Sequence, residues 1–591
     1  MSKKWNYIFF ALLVGISLLY GYQDIFFMRP YSMHQWRQCD CLSIAYNYYK
    51  EGMHFFSPAV HWSGPTGDGK TCTSECPLLY YLVACLWTVF GYHEFIYRML
   101  DTFIAFSGLY YLFKIAKEIL GDGLWAIITS LFLFSSTIYA YYANNFTTDV
   151  PALALVIIGW YHFLRFYKEG KQSSFIKYAL FCLLAALTKI TALLSFIPLF
   201  LIIPIEMFST FKFKNDGKLF QQPFKQILPV ILIIGITGAW TLFAIKYNKA
   251  HIEGLFSTQT YPISEIGKHE IKEILMIIYN NQLPVFLNTP VFIFILVLFG
   301  ALLVNYKQTN RLLLFITTFI FIGSVAYLLL WFQIFNVHDY YLIHLLIFIP
   351  FVLITFLLYL KNTQPAIFTS VKIKITACVI LAFSIYNCAV NMHMRYNPLN
   401  PIARYSFTND RETTSFWNWY YWDYQAHYKA LETITPYLRS LGLKRTDKVV
   451  SFPDISINVT LYLMDQKGFT GFGYQKKGDD YVDLLDNSIR EGINYFVLND
   501  PSLADSAYLQ PYIKNKIGEY KNVNIYSLKG IDVNTLAGEV RKKKILDSIS
   551  ERIRANPDWY NQIKKGAKER NISTDSAVKL NAIWMLQNQK K

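Results

Sequence analysis

Loop charge alternates along the first two-thirds of this chain, and that alternation constrains its fold more than any other feature. About eleven apolar runs of membrane-spanning length are joined by loops that are in turn rich in Lys and Arg and nearly free of them. Roughly 20 apolar residues cross the hydrocarbon core of a bilayer, and loops rich in Lys and Arg stay cytoplasmic. A basic start at Lys3 and Lys4 puts the N-terminus inside and the run Trp5–Tyr22 across the membrane. That run lacks a small-residue cleavage site, so it reads as a retained span. The later spans are Ile96–Leu112, Leu124–Tyr142, Pro151–Tyr167, Tyr178–Leu194, Phe196–Phe208, Ile227–Ile245, Pro290–Val304, Leu312–Phe335, Tyr341–Leu360 and Ile375–Val390. Under this one assignment every basic cluster, from Lys114 to Lys374, faces the cytoplasm. The shorter run Pro77–Phe90 would reverse all later loops if it crossed. It is expected to lie in the outer interface, a setting that suits Tyr80, Tyr81 and Trp87.

Composition agrees with a plasma (inner) membrane protein of many passes. Of 591 residues, 53% are hydrophobic and 18% aromatic, which is unusual for a soluble globular chain. The net charge of +16 lies in short loops beside apolar runs, so it is topological and no nucleic-acid partner is expected. There is no phosphate-binding Walker loop, no dinucleotide fingerprint and no zinc-protease helix motif. Beyond Met392 the pattern changes. Short β-like runs at Val449–Phe452, Tyr495–Leu498 and Val523–Leu528 alternate with helical patterns around Asp480–Arg490 and Leu509–Glu519. The expected fold is therefore mainly α. It is a polytopic membrane helical bundle (residues 1–392, with an external loop at 28–76), a small α/β extramembrane domain on the outer side (393–535) and a helical C-terminal tail (536–591).

The same assignment gathers Asp40, Glu75, Asp149, Lys189 and Asp339 at the outer face, opposite the basic loops. Four of the eight cysteines, Cys39, Cys41, Cys72 and Cys76, share the first external loop. In an oxidising compartment they could be cross-linked, which would pin Asp40 near Glu75; free thiols or a bound metal remain the alternatives. On one helix Cys39 and Cys41 would point apart, so they would not pair with each other.

Several segments fall in a recognisable order. Met33 to Cys41 reads MHQWRQCDC, Ala45 to Met53 AYNYYKEGM, Ser74 to Val83 SECPLLYYLV and Gly91 to Met99 GYHEFIYRM. They are followed by NNFTTDVPA from Asn144, LTKITA from Leu187 and NVHDYYLI from Asn336. Over about residues 1–390 this order resembles bacterial members of the dolichyl-phosphate-mannose–protein mannosyltransferase family and the related lipid A aminoarabinose transferases, which are multi-span glycosyltransferases of the C type (GT-C). The resemblance implies transfer of a sugar from a polyprenyl-phosphate carrier to an acceptor on the outer side, with inversion. No cofactor is required, and a divalent metal is left open. Implied partners are the lipid-linked donor, membrane lipids and a glycan, lipid or protein acceptor. One departure matters: relatives commonly carry Lys or His just before the Pro-Leu of the first loop, where this chain has Glu75 and Cys76. The cation that holds the carrier phosphate must come from elsewhere.

Asp40 matches the acid of the family's first loop and is the candidate base. An inverting transfer needs one carboxylate to take the acceptor's proton, and a phosphate leaving group needs no acid. Asp149 matches the acid of the second loop; its place before Pro151 also suits a helix cap. Lys189, inside an apolar run, is either a phosphate ligand or a lysine snorkelling to the interface. Glu75, Arg37, Arg98, His338, Asp339 and Tyr340 complete the candidate binding set. Against them stand plainer roles: Asp339 as a helix cap, Arg98 as an interface anchor, Glu75 as half of a surface ion pair. Competing functions are a transporter or flippase of a lipid-linked saccharide and a non-catalytic membrane scaffold. A transporter would place charges at mid-bilayer within repeated halves, and neither is visible.

Overall fold

The computed structural model describes residues 3–73, 75–209, 212–214, 219–220, 223–252, 256, 260–408, 410–474, 478–533, 546–547 and 549–588. Two compact units divide at Gln425/Ala426. This lies beyond the boundary expected at 392/393. The aromatic helix Arg411–His427 accounts for the difference: Tyr424 packs on Tyr31 with rings 4.4 Å apart, and the Tyr420 hydroxyl donates to the Ser32 carbonyl at 2.9 Å.

The first unit is a bundle of apolar helices. Among the described residues seven are long and apolar enough to cross a membrane: Glu94–Leu120, Asp149–Glu169, Ile190–Phe208, Phe224–His251, Arg311–Leu330, Asp339–Thr363 and Val371–Tyr396. Two broken pairs, Gly123–Phe134 with Thr137–Ala143 and Lys268–Leu287 with Thr289–Val304, bend by 77° and 82° and bring the count to nine. The first break has a local cause. Ser136 is extended, and its hydroxyl accepts the Tyr139 N–H, so it caps a new helix. At the second, Asn288 adopts a positive φ of 32° just before Pro290. Lys4–Leu19 and Gln172–Thr188 are apolar but only 16 and 17 residues long, about 25 Å at 1.5 Å per residue. The expected eleven are reached only by counting both. Leu78–Phe90 is a 13-residue helix, about 20 Å long.

Close packing holds the central pair of helices. A Cβ placed on Gly108 would lie 2.7 Å from Ala154 Cα, so Glu94–Leu120 and Asp149–Glu169 touch backbone to backbone. Small residues permit such approach between membrane helices, where dispersion and not water drives association.

The second unit contains a five-stranded sheet. Its strands are β1 (Val449–Phe452), β2 (Gly468–Phe469), β3 (Tyr495–Leu498), β4 (Lys516–Tyr520) and β5 (Val523–Ser527), in the order β2-β1-β3-β5-β4. β1 pairs parallel with β2 and β3, whereas β5 pairs antiparallel with β3 and β4. The parallel half follows the βαβ logic of the sequence: the helix Gly478–Arg490 connects β2 to β3 and buries Leu484 and Leu485 against Phe452 and Phe496. The helical pattern expected over Leu509–Glu519 is not formed. Lys516–Tyr520 instead pairs with β5 across a tight turn in which Lys521 takes a φ of 53°. The apolar β5 offers a hairpin partner that a local helical period does not reveal. In the expected tail, helices Pro557–Glu569 and Thr574–Asn588 share a core of Ile563, Ala567, Val578 and Ala582; residues 536–545 lie outside the described set.

Gly108→Leu should separate the central helices and lower the midpoint of thermal unfolding in detergent by several degrees. Gly235→Leu, where no atom lies within 4 Å of an added Cβ, should leave the midpoint nearly unchanged.

Candidate active site

The helix Gln35–Glu51 starts at His34, whose φ of 53° is left-handed. Its first turn is fixed by Gln38, whose amide nitrogen donates to the carbonyls of Tyr31 at 2.9 Å and Met33 at 3.0 Å. Arg37 and Asp40, three residues apart, therefore share one face, and Asp40 is buried with 4% exposure. Lys189 reaches the same region through a break in its span. It is extended (φ −155°, ψ 116°) between Gln172–Thr188 and the tighter helical turns of Ile190–Phe196. The Cys76 N–H donates to the Leu187 carbonyl at 2.9 Å, which brings the neighbouring Glu75 to this break.

These anchors produce a buried chain of charges. Arg37 Nη2 and Lys189 Nζ each lie 2.7 Å from Glu75 Oε1, and Lys189 Nζ lies 3.1 Å from Asp149 Oδ1. Two cations and two carboxylates balance. Burying each ion costs several kcal/mol, and removing one partner from such a set typically costs about 3–5 kcal/mol. Burial pushes the Glu75 carboxyl up, but Arg37 and Lys189 outweigh it and hold it well below the usual carboxylate range. Glu75 Oε2 and Asp149 Oδ2 are buried without a hydrogen bond among the described residues. Asp149 opens its helix, and the Thr148 side chain before it caps nothing. Lys189 also sits 5.5 Å and 5.3 Å from the ring centres of Tyr340 and Tyr341.

Tyr340 leads to a second buried cluster. Asp339 pairs with Arg395 at 3.0 Å and His34 at 3.3 Å, and the Tyr142 hydroxyl donates to it. Asp339 is thus an ion-pair partner and not only the start of a helix. The His34 ring packs edge-on to Tyr340 at 4.9 Å and lies 5.1 Å from His338. Burial and His34 lower His338 to about 4, so it is neutral at pH 7.

The structure brings Arg37, Glu75, Asp149 and Lys189 together, with Asp40 one turn beyond Arg37 on the same helix and Tyr340, His338 and Asp339 adjoining. It places Arg98 differently. Its guanidinium is fully buried, donates to the carbonyls of Asn144 at 2.6 Å and Met28 at 3.2 Å, and stacks on Phe146 at 4.0 Å. That geometry is spent on backbone and does not present the group to a phosphate. No disulfide is formed among the described cysteines. Cys41 lies 3.3 Å from the Tyr80 hydroxyl, and the Cys72 thiol donates to the Thr73 carbonyl. Burial raises the Cys41 and Cys76 thiols to about 12. Hydrogen bonds, not a bridge, fix the loop: Asn248 exchanges two with the Cys72 backbone. Among the described residues no group of three or more His, Cys, Asp or Glu could hold a metal.

Three residues escaped the sequence reading. Arg395 ends the last apolar helix, where a cation looks like an interface anchor. His34 lay within a quoted motif without being singled out. Asp101, three residues after Arg98 in an apolar helix, is fully buried near the Arg98 charge and the Thr147 backbone. A charge within a membrane helix is itself a functional signal, and it should have marked Asp101.

The fold is that of crystallised ArnT from Cupriavidus metallidurans. Its apo structure matches with 11% identity and a TM-score of 0.54 over 89% of this chain and 98% of ArnT. The complex of ArnT with undecaprenyl phosphate matches with 12% identity and a TM-score of 0.53 over 90% and 99%. No curated protein matches in sequence. These matches define the class of fold, an ArnT-like bundle of apolar helices. Residues 74–246, which include Glu75, Asp149 and Lys189, match the dolichyl-phosphate-mannose-protein mannosyltransferase family. That match covers less than a third of the chain.

The depressed Glu75 pKa makes stability acid-sensitive. The contribution is complete above the unfolded value, about 4.3, and is lost as pH falls toward the folded value. Unfolding midpoints in detergent should drop between about pH 5 and pH 3 more steeply for the native protein than for Glu75→Gln. Parallel curves would show that Glu75 is not held by its two cations.

Proposed function

We propose that the protein transfers a sugar from a polyprenyl-phosphate carrier to an acceptor hydroxyl at the outer face of the plasma membrane, with inversion. The observation that carries this reading is the buried pair of cations, Arg37 and Lys189, meeting at Glu75 beside the Asp40 helix. They supply the positive charge missing from the position before Pro77. Undecaprenyl phosphate bound to ArnT, a protein of the same fold, supports a lipid-phosphate donor. The loop-charge assignment supports the outer face and an external second unit.

In the proposed reaction the acceptor oxygen attacks the anomeric carbon as the bond from that carbon to the phosphate oxygen breaks. The acceptor proton passes to the Asp40 carboxylate, and polyprenyl phosphate leaves with the electron pair. Charge grows on the departing phosphate, and fixed cations in a buried site stabilise it strongly. Glu75 is a poor base because its two cations hold it ionised. It serves to position them. Asp149 holds Lys189 from the other side. His338 and Tyr340 line the approach as neutral groups able to meet sugar hydroxyls. The sugar and the acceptor are set by surfaces that these residues do not define.

The test is transfer from a panel of labelled polyprenyl-phosphate sugars by purified protein in liposomes. Asp40→Asn should retain donor binding while turnover falls about 10²–10⁴-fold, the usual contribution of a general base. Lys189→Met should weaken donor binding. Full turnover in Asp40→Asn, with loss in Asp149→Asn, would move the base to Asp149. Movement of lipid-linked saccharide across the bilayer without transfer would favour a flippase.

A further inference from the structure

A cavity of about 400 Å³ opens at the other end of the bundle. Lys168, on its wall, lies 19 residues beyond Asp149 on the same helix, about 28 Å away at 1.5 Å per residue. It is therefore separate from the site above. We propose that it holds the phosphate headgroup of an anionic phospholipid, with an acyl chain along its apolar wall.

Charge and shape both point there. Lys168 and Lys214 line the cavity. The Tyr167 hydroxyl donates to the Phe213 carbonyl at 3.1 Å and so holds the Lys214 segment over the helix end. The one lining carboxylate, Glu118, accepts from the Tyr161 hydroxyl at 3.2 Å. Lys114 lies over the same Tyr161 ring at 4.4 Å. Arg165 is occupied by Glu169. The helix Arg311–Leu330 begins at the wall with Asn310 as its cap, adding the partial positive charge of a helix start. Ile115, Ile119, Leu164 and Leu358 give the same cavity an apolar wall. A free phosphate would leave that apolar surface uncovered, whereas a lipid satisfies both halves. Basic pockets between membrane helices on the side of the basic loops commonly bind anionic headgroups.

The test titrates full-length protein in detergent with phosphatidylglycerol and with phosphatidylcholine, and reads bound lipid by native mass spectrometry. Phosphatidylglycerol should be retained in preference. Lys168→Gln with Lys214→Gln should weaken that retention by about fivefold per lysine, from about 1 kcal/mol each. Leu164→Trp, which fills the apolar wall, should lower it as well. The control pair Lys307→Gln with Lys372→Gln, exposed and outside the cavity, should leave it intact. Equal loss in the control pair, equal binding of phosphatidylcholine, unchanged retention in Leu164→Trp, or displacement by inorganic phosphate would each overturn the proposal.

Discussion

Charge neutrality in a buried place governs the functional end of this molecule. An apolar bundle tolerates ions only as compensated sets, because each lone ion costs several kcal/mol to desolvate. Here the set is Arg37, Glu75, Lys189 and Asp149, drawn from four separate segments. Each segment must arrive in place for the sum to vanish. The local devices described above serve that end: the left-handed His34, the extended Lys189 and the Cys76 amide on Leu187. Such a set is a costly way to gain stability, since apolar residues of the same volume are often as good or better. Its presence is better explained by a ligand that carries charge of its own.

The candidate site holds two buried clusters. Glu75 and Lys189 lie within the region that matches the mannosyltransferase family, whereas Asp339 and Arg395 lie beyond it. Tyr340 and its neighbour Tyr341, beside Lys189, join the two. A neutral His338 and aromatic faces next to a cation make a surface that is polar without adding net charge. This suits sugar hydroxyls, which need donors and acceptors more than ions.

Much of this was legible in the sequence because membranes simplify the problem. Periodicity matters little when whole segments must be apolar, so length and loop charge alone located the helices. Breaks were less visible. Nothing in LTKITA distinguishes a snorkelling lysine from one at a helix break, because the break is held by contacts with Cys76 and Glu75, which are distant in sequence. The pairing of Arg37 with Glu75 was likewise hidden, although both were named, since sequence order does not reveal which face meets which. Arg98 shows the opposite case: a conspicuous cation whose guanidinium donates to carbonyl groups. In the second unit the strand Lys516–Tyr520 was read as helix because local period cannot register a partner strand.

Arg98 has a consequence that reaches past stability. Its guanidinium grips the carbonyl of Met28, where the first external segment begins, and that of Asn144, where the segment leading to Asp149 begins. One planar group thus acts as a hasp between the stretches that deliver the two carboxylates. Their separation is governed by a residue that touches neither. On the proposed reaction, in which groups displaced by about 1 Å lose around a hundredfold in rate, drift at this clasp would lower turnover with Asp40 and Asp149 both intact.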